Sequence, residues 1–158
     1  MPNISMSDPE YWQGDRRALP GFRSKDWYLG PQTPDATRVM VLDMEPGTVI
    51  PRHAHNAERF EVIVKGSIWV GERLFTPGDV MTAHAGEFYG PKVAGPDGCT
   101  TMEVFADPDI DDSPLLFELA DGSIVSFDPE VIGNVDNLAE AEWIRERRTE
   151  VLGAPVTS

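Results

Sequence analysis

The chain has 158 residues, 41% of them hydrophobic, enough for one well-buried core and too few for two comfortable domains. Its formal charge of -14, from 27 acidic and 13 basic side chains, sets up a field that repels nucleic-acid phosphates and anionic lipid headgroups, so neither is an expected partner. The single cysteine, Cys99, excludes an intrachain disulfide and a cysteine-based zinc site; with no bilayer-length apolar run and no secretion-signal pattern at the N-terminus, a cytoplasmic protein is expected.

Residues 1–37 mix Tyr11, Trp12, Phe22, Trp27 and Tyr28 with proline, glycine and charges and show no sustained period, the texture of an N-terminal arm. From residue 38 short apolar runs alternate with turn chemistry: RVMVLDM before EPGT, FEVIV before KGS, IWV before GER, LF before TPGD, TTMEVFA before DPDIDD. Runs this short at this spacing predict an antiparallel sandwich or barrel over residues 38–130. DPDIDD lacks the closing glutamate of a calcium loop and reads as a solvated turn. In PLLFELADGSIVSF, Asp121-Gly122 between two apolar runs predicts a hairpin with a type I′ turn. Residues 131–158 hold a predicted C-terminal helix and tail, with Asp136 or Asn137 as cap, Leu138, Ala141, Ile144 and Val151 on one stripe, and Gly153 as the stop. Trp69, Met81, Met102 and Cys99 are expected in the core.

The order Gly47, five residues, His53-Ala54-His55, ten residues, Gly66, then Pro77-Gly78-Asp79 and a second block around Gly86 resembles the cupins, a superfamily of small antiparallel jelly-roll barrels. The resemblance covers roughly residues 38 to 106. It implies a barrel mouth holding a divalent metal through two histidines, a glutamate and a later histidine. His53 and His55 match the first two. Arg59 stands where that glutamate is usual, Tyr89 where the later histidine is usual, and His84 where the second block has proline.

The residues themselves suggest a different third ligand. If residues 56–58 turn between two antiparallel strands, His55 lies opposite Arg59 and His53 opposite Glu61, with paired Cβ atoms about 4.5 to 5.5 Å apart. Alternation then assigns Arg59, Glu61 and Ile63 to the histidine face and Phe60, Val62 and Val64 to the other; a one-residue slip would reverse the two. Tyr89 is either a ligand or a pocket wall that hydrogen-bonds through its hydroxyl, and His84 either a displaced ligand or a capped loop residue. Two imidazoles and a carboxylate make the open facial set that suits iron(II) and also accepts zinc, nickel or manganese. Beside it, the planar fork of Arg59 would orient an anionic oxygen, pointing to a small acid, phenolate or dicarbonyl.

Three functions are compatible with this pattern. The leading expectation is a metal-dependent enzyme, an oxygenase resembling the cupins that cleave dicarbonyl or hydroxyaryl ketone substrates, with His53, His55 and Glu61 on the metal and Arg59, Tyr89 and His84 at the reaction. The others are a metal-free isomerase, lyase or cyclase with a histidine base and Tyr89 as acid, and a cupin that binds a small molecule without turnover. An outward stripe of Phe60, Val62 and Val64 predicts a homodimer that covers it.

Overall fold

In the computed structural model, which describes residues 4–29, 37–106 and 115–153, the chain from residue 38 onward builds the antiparallel sheets that its short apolar runs predict. The first strand comes earlier. Within the segment expected to be an arm, β1 (Phe22–Leu29) runs antiparallel to β2 (Thr37–Met44) along its whole length, Phe22 opposite Met44 and Leu29 opposite Thr37. Its alternation is hidden because its one buried position is Ser24, while Arg23 pairs across the strands with Asp43 at 2.6 Å. Cross-strand ion pairing thus stands where an apolar face would have been legible.

β3 (Val49–Ile50), β4 (His53–Ala54), β5 (Arg59–Val70), β6 (Arg73–Phe75), β7 (Val80–Ala83), β8 (Lys92–Phe105), β9 (Leu116–Glu118) and β10 (Ile124–Ser126) follow. The larger sheet has the order β1, β2, β8, β5, β6, with β3 beside β8 and β7 beside β5; the smaller has the order β10, β9, β4. All of these pairings are antiparallel, and the helices come after the strands, so the class is all-β. β5 bends where its register against β8 shifts around Lys65 and Gly66. Gly66 is left-handed (φ 71°) and a Cβ there would stand 2.0 Å from the Gly98 carbonyl oxygen, so only glycine lets the two long strands cross so closely.

The expected hairpin between the histidines and residue 59 does not form. β4 pairs with β9, His53 opposite Phe117, whereas β5 enters the other sheet, Arg59 opposite Ala83 and Phe105, Glu61 opposite Met81 and Glu103. The two strands part because residues 56–58 carry the chain from one sheet to the other. The facing nevertheless follows the predicted alternation: Arg59, Glu61 and Ile63 are buried, while Phe60 and Val64 are 45% and 42% exposed. The slipped register is not adopted.

The late hairpin joins β9 to β10 through a different turn. Gly122 donates to the Leu119 carbonyl and Leu119 to the Ser123 carbonyl, with Gly122 left-handed but Asp121 not. This is a turn closed by a glycine bulge rather than type I′, which needs both central residues left-handed. Helix α1 (Pro129–Ile132), a single 3-10 turn (Val135–Asn137) and helix α2 (Ala141–Leu152) complete the chain. Asp136 and Asn137 lie in the 3-10 turn, so α2 starts later than expected, from Glu140 in a left-handed conformation, and Gly153 follows its last turn. Ile144 is fully buried with Leu138, Ile132 and Phe117, each contributing about 1.5 to 3 kcal/mol. A second cluster, including Leu42, Ile50, Ile63, Ile68 and Cys99, fills the barrel. Met102, expected in the core, is 37% exposed on the outer face. The DPDIDD turn lies outside the described residues. Among the described residues no helix is long and apolar enough to cross a membrane.

Candidate functional site

β4 brings His53 to the wall of a cavity of about 340 Å³ between the sheets, and His55 joins it from just beyond the strand. Met40, Leu42, Ile50, Phe105, Phe117 and Phe127 contribute apolar wall, and Glu103, Arg38 and Arg16 also face the space. A wider groove of about 690 Å³ is lined by residues 17–23 with Asp43 and Glu45. Its Arg23–Asp43 pair is about a third exposed, so the smaller cavity, with buried titratable groups converging on it, is the functional candidate.

His53 is fixed from both directions. Its backbone exchanges hydrogen bonds with Tyr89, at 3.0 and 2.9 Å, and its Nδ1 lies 2.6 Å from the Pro51 carbonyl oxygen. A carbonyl cannot donate, so Nδ1 carries the proton and Nε2 keeps its lone pair. The His53 ring meets Tyr89 at 4.4 Å and His55 at 5.3 Å between centroids, and His55 meets Phe105 at 4.9 Å. Burial, then the charges of His55 and Lys92, hold His53 well below the usual imidazole range. Burial, with Arg59 and Lys92, lowers His55 to about 3. Both imidazoles are therefore neutral at physiological pH.

Next to them lies a buried quartet of two cations and two carboxylates. Arg59 Nη1 donates to Glu61 Oε2 and, at 2.5 Å, to Glu103 Oε1; Lys92 Nζ donates to Glu61 Oε2 at 2.5 Å and lies 4.0 Å from Glu103 Oε1. All four side chains are at most 3% exposed. The Tyr89 ring covers Arg59, whose Cζ is 3.9 Å from its centroid, and lies 5.1 Å from Lys92 Nζ. The two carboxylates diverge: burial pulls Glu61 up, but Lys92 and Arg59 together hold it below the usual carboxylate range, whereas burial and the neighbouring Glu61 charge push Glu103 up. Burial and the Glu103 charge keep the Tyr89 phenol well above its ordinary value, so it stays protonated.

Of the residues singled out from the sequence, His53 and His55 line the cavity, and Arg59, Glu61 and Tyr89 stand behind them. His84 is elsewhere: its side chain is 85% exposed and its Nδ1 is 3.0 Å from Glu58 at the surface, and its backbone N–H donates to Glu87, the arrangement of a capped loop residue. The ligand set expected of His53, His55 and Glu61 is not assembled, and among the described residues no three His, Cys, Asp or Glu side chains group as metal ligands. The reason is electrostatic. Arg59 and Lys92 share one Glu61 oxygen, Oε2, and set two positive charges against the imidazoles, so a divalent cation would enter against repulsion and meet carboxylates already ion-paired to those cations. The residues present do not fit a three-ligand metal centre.

Lys92 and Glu103 were not anticipated. For Glu103 a signal exists: in TTMEVFA, Thr101, Glu103 and Phe105 alternate with Met102, and all three are buried. Lys92 has no such signature, since it follows the Gly90-Pro91 turn and begins β8.

No protein-family model and no curated protein sequence matches the chain. Its fold does match solved structures. An acetylacetone dioxygenase from Acinetobacter johnsonii aligns at a TM-score of 0.54 and 13% identity over 80% of this chain and 86% of its own. KdgF from a Halomonas species aligns at 0.51 and 23% identity over 62% and 88%, and an RmlC-like cupin from Shewanella frigidimarina at 0.51 and 17% over 62% and 86%. At these identities the likeness is one of fold. The chain has the cupin fold, an antiparallel jelly roll, as the spacing of its histidines and glycines implied.

Proposed function

We propose that the chain is a small-molecule enzyme that works by proton transfer without a resident metal, with Glu103 carrying the proton and the neutral His53 and His55 holding the substrate's polar head. The observation that supports this most directly is the position of Glu103: it is the one member of the buried quartet that faces the cavity beside both histidines. Its hydrogen bond from Arg59 engages Oε1. Two carboxylates whose surroundings push them in opposite directions are the usual signature of divided roles. Glu61 remains ionised and anchors the cations, while burial and the Glu61 charge raise Glu103 above its ordinary value, the direction that suits a carboxyl which takes and returns a proton. The histidines, held far below that range, suit hydrogen bonding better than proton cycling.

On an enolisable carbonyl compound the ionised Glu103 takes the proton from the carbon beside the carbonyl. The C–H electron pair becomes the new C=C bond, the carbonyl π pair moves to oxygen, and Glu103 returns its proton to close the cycle. The test is hydrogen–deuterium exchange in deuterium oxide, followed by NMR, on acetylacetone and 2-hydroxycyclohexanone with chelator-treated protein. Exchange above the buffer rate, retained after chelation and lost in a folded Glu103→Gln variant, is expected. Exchange that needs added metal, survives Glu103→Gln, or occurs with neither compound overturns the reading.

A further inference from the structure

We infer that the cavity selects an uncharged molecule of about single-ring size bearing a hydroxyl group, and rejects the same skeleton carrying a charge; this rests on the reading of the cavity as the working site. Size comes first. A volume of about 340 Å³ corresponds to roughly ten water molecules, room for one ring with short substituents. The wall is mostly apolar, with Phe105 and Phe117 flanking the histidines, so a hydrophobic skeleton is favoured.

Charge is decided by what the ionic groups already hold. Arg59 is committed to Glu61 and Glu103, Lys92 to Glu61, and Arg38 to Asp26 at 2.9 Å, with Arg16 on the same carboxylate at 3.2 Å. The three buried cations therefore each lie on a carboxylate, and Glu103 has Arg59; Arg16 shares the Asp26 carboxylate with Arg38 but is 60% exposed, so solvent screens its charge. An anion or cation entering this space would give up its hydration without gaining a counter-ion of its own. That removes the basis for the anionic substrate expected when Arg59 was read as free to bind one.

The hydroxyl follows from His53. With Nδ1–H spent on the Pro51 carbonyl, Nε2 can only accept, and burial keeps it from becoming a donor by protonation. A ligand with an O–H satisfies it; a ligand without one leaves a buried acceptor unpaired.

The experiment is a titration of isotope-labelled protein, followed by chemical-shift changes around His53, His55 and Phe105, with benzyl alcohol, benzoate, benzylammonium and toluene at neutral pH. Saturable binding of benzyl alcohol is expected, with both ions at least about tenfold weaker and toluene several-fold weaker. In Glu103→Gln the quartet gains a net positive charge, so benzoate should gain on benzyl alcohol. The wild-type series decides the matter even if that variant does not fold. Equal or tighter binding of either ion overturns the exclusion of charge, equal binding of toluene overturns the role of the hydroxyl, and no binding of benzyl alcohol at millimolar concentration overturns the class. Deuterium exchange reads proton transfer separately, so binding without exchange would refute the reaction and leave the selectivity standing.

Discussion

Replacing Arg59 by methionine tests the quartet directly. Among the described residues, the substitution removes the only hydrogen bond that the Glu103 side chain accepts and one of the two that Glu61 accepts, which keeps Lys92 at 2.5 Å. Glu103 is left with an ammonium 4.0 Å away, beyond hydrogen-bonding reach. Breaking a buried pair in this way costs about 3 to 5 kcal/mol, which for a chain of this size lowers the melting temperature by about 6 to 20 °C. The cost depends on pH with a definite sign. Glu103 is already raised from its ordinary value by burial and the Glu61 charge, and losing Arg59 moves it higher; a carboxyl whose folded-state value is raised is tolerated while protonated and destabilises as pH rises through that value. Arg59→Met should therefore be milder in mildly acidic buffer than above neutrality. Removing Glu103 as well, as Arg59→Met with Glu103→Leu, leaves the Lys92–Glu61 pair intact and should recover most of the loss. Arg59→Met with Glu61→Leu strands Lys92 and Glu103 at 4.0 Å and should recover less. Thermal melts by circular dichroism at several pH values measure all of these. Small, additive, pH-independent shifts would mean that the four charges are solvated and that the account of the site is wrong.

Metal content comes next: tag-free protein dialysed with iron(II), zinc, nickel or manganese should hold only sub-stoichiometric metal by elemental analysis, lost with His53→Ala and His55→Ala together, and one tightly bound ion per chain would refute the electrostatic argument. Acid stability should fall through His55, whose imidazole is lowered from 6.5 to about 3: its contribution is complete above pH 6.5 and disappears as pH drops toward 3, by at most about 5 kcal/mol. Urea midpoints for His55→Phe should flatten over that window, and an unchanged slope would exclude His55 as the cause. Finally, Phe60, Val64, Val80 and Met102 are each more than a third exposed, and Val62 lies opposite both Val80 and Met102, so a homodimer covering this face is expected by light scattering at micromolar concentration. Phe60→Asp with Met102→Asp should dissociate it, and a monomeric wild type would refute the pairing.

The sequence made legible whatever depends on local period. Alternation over residues 59–64 put Arg59, Glu61 and Ile63 on one face, which is the buried one although the hairpin used to choose it does not form, and Asp121-Gly122 marked a hairpin. That dipeptide serves both a type I′ turn and a glycine bulge, so the turn itself was not legible. Nor was the partner of β5, since Glu61 meets Glu103 through a pairing forty-two positions away, and no local pattern reports such contacts. This is why Arg59 looked free to bind an anion: its second carboxylate came from a distant strand. β1 was missed for the complementary reason, its faces being reconciled by ion pairs rather than by apolar burial. The start of α2 was misplaced because Asp136 and Asn137 have the composition of a cap but serve the preceding 3-10 turn.

The quartet also limits what the sequence can become. Any single exchange that removes a charge from Arg59, Glu61, Lys92 or Glu103 leaves an odd charge where no side chain is more than 3% exposed, and such a variant loses a large part of a marginal folding free energy before any gain can be selected. Substitution at these positions is viable chiefly in pairs joined by a direct hydrogen bond, Arg59 with Glu103 or Lys92 with Glu61. A carboxylate arriving at residue 59 would put three acids around one lysine, so a mutational route to a metal-binding version of this barrel has to pass first through residue 61 or 103.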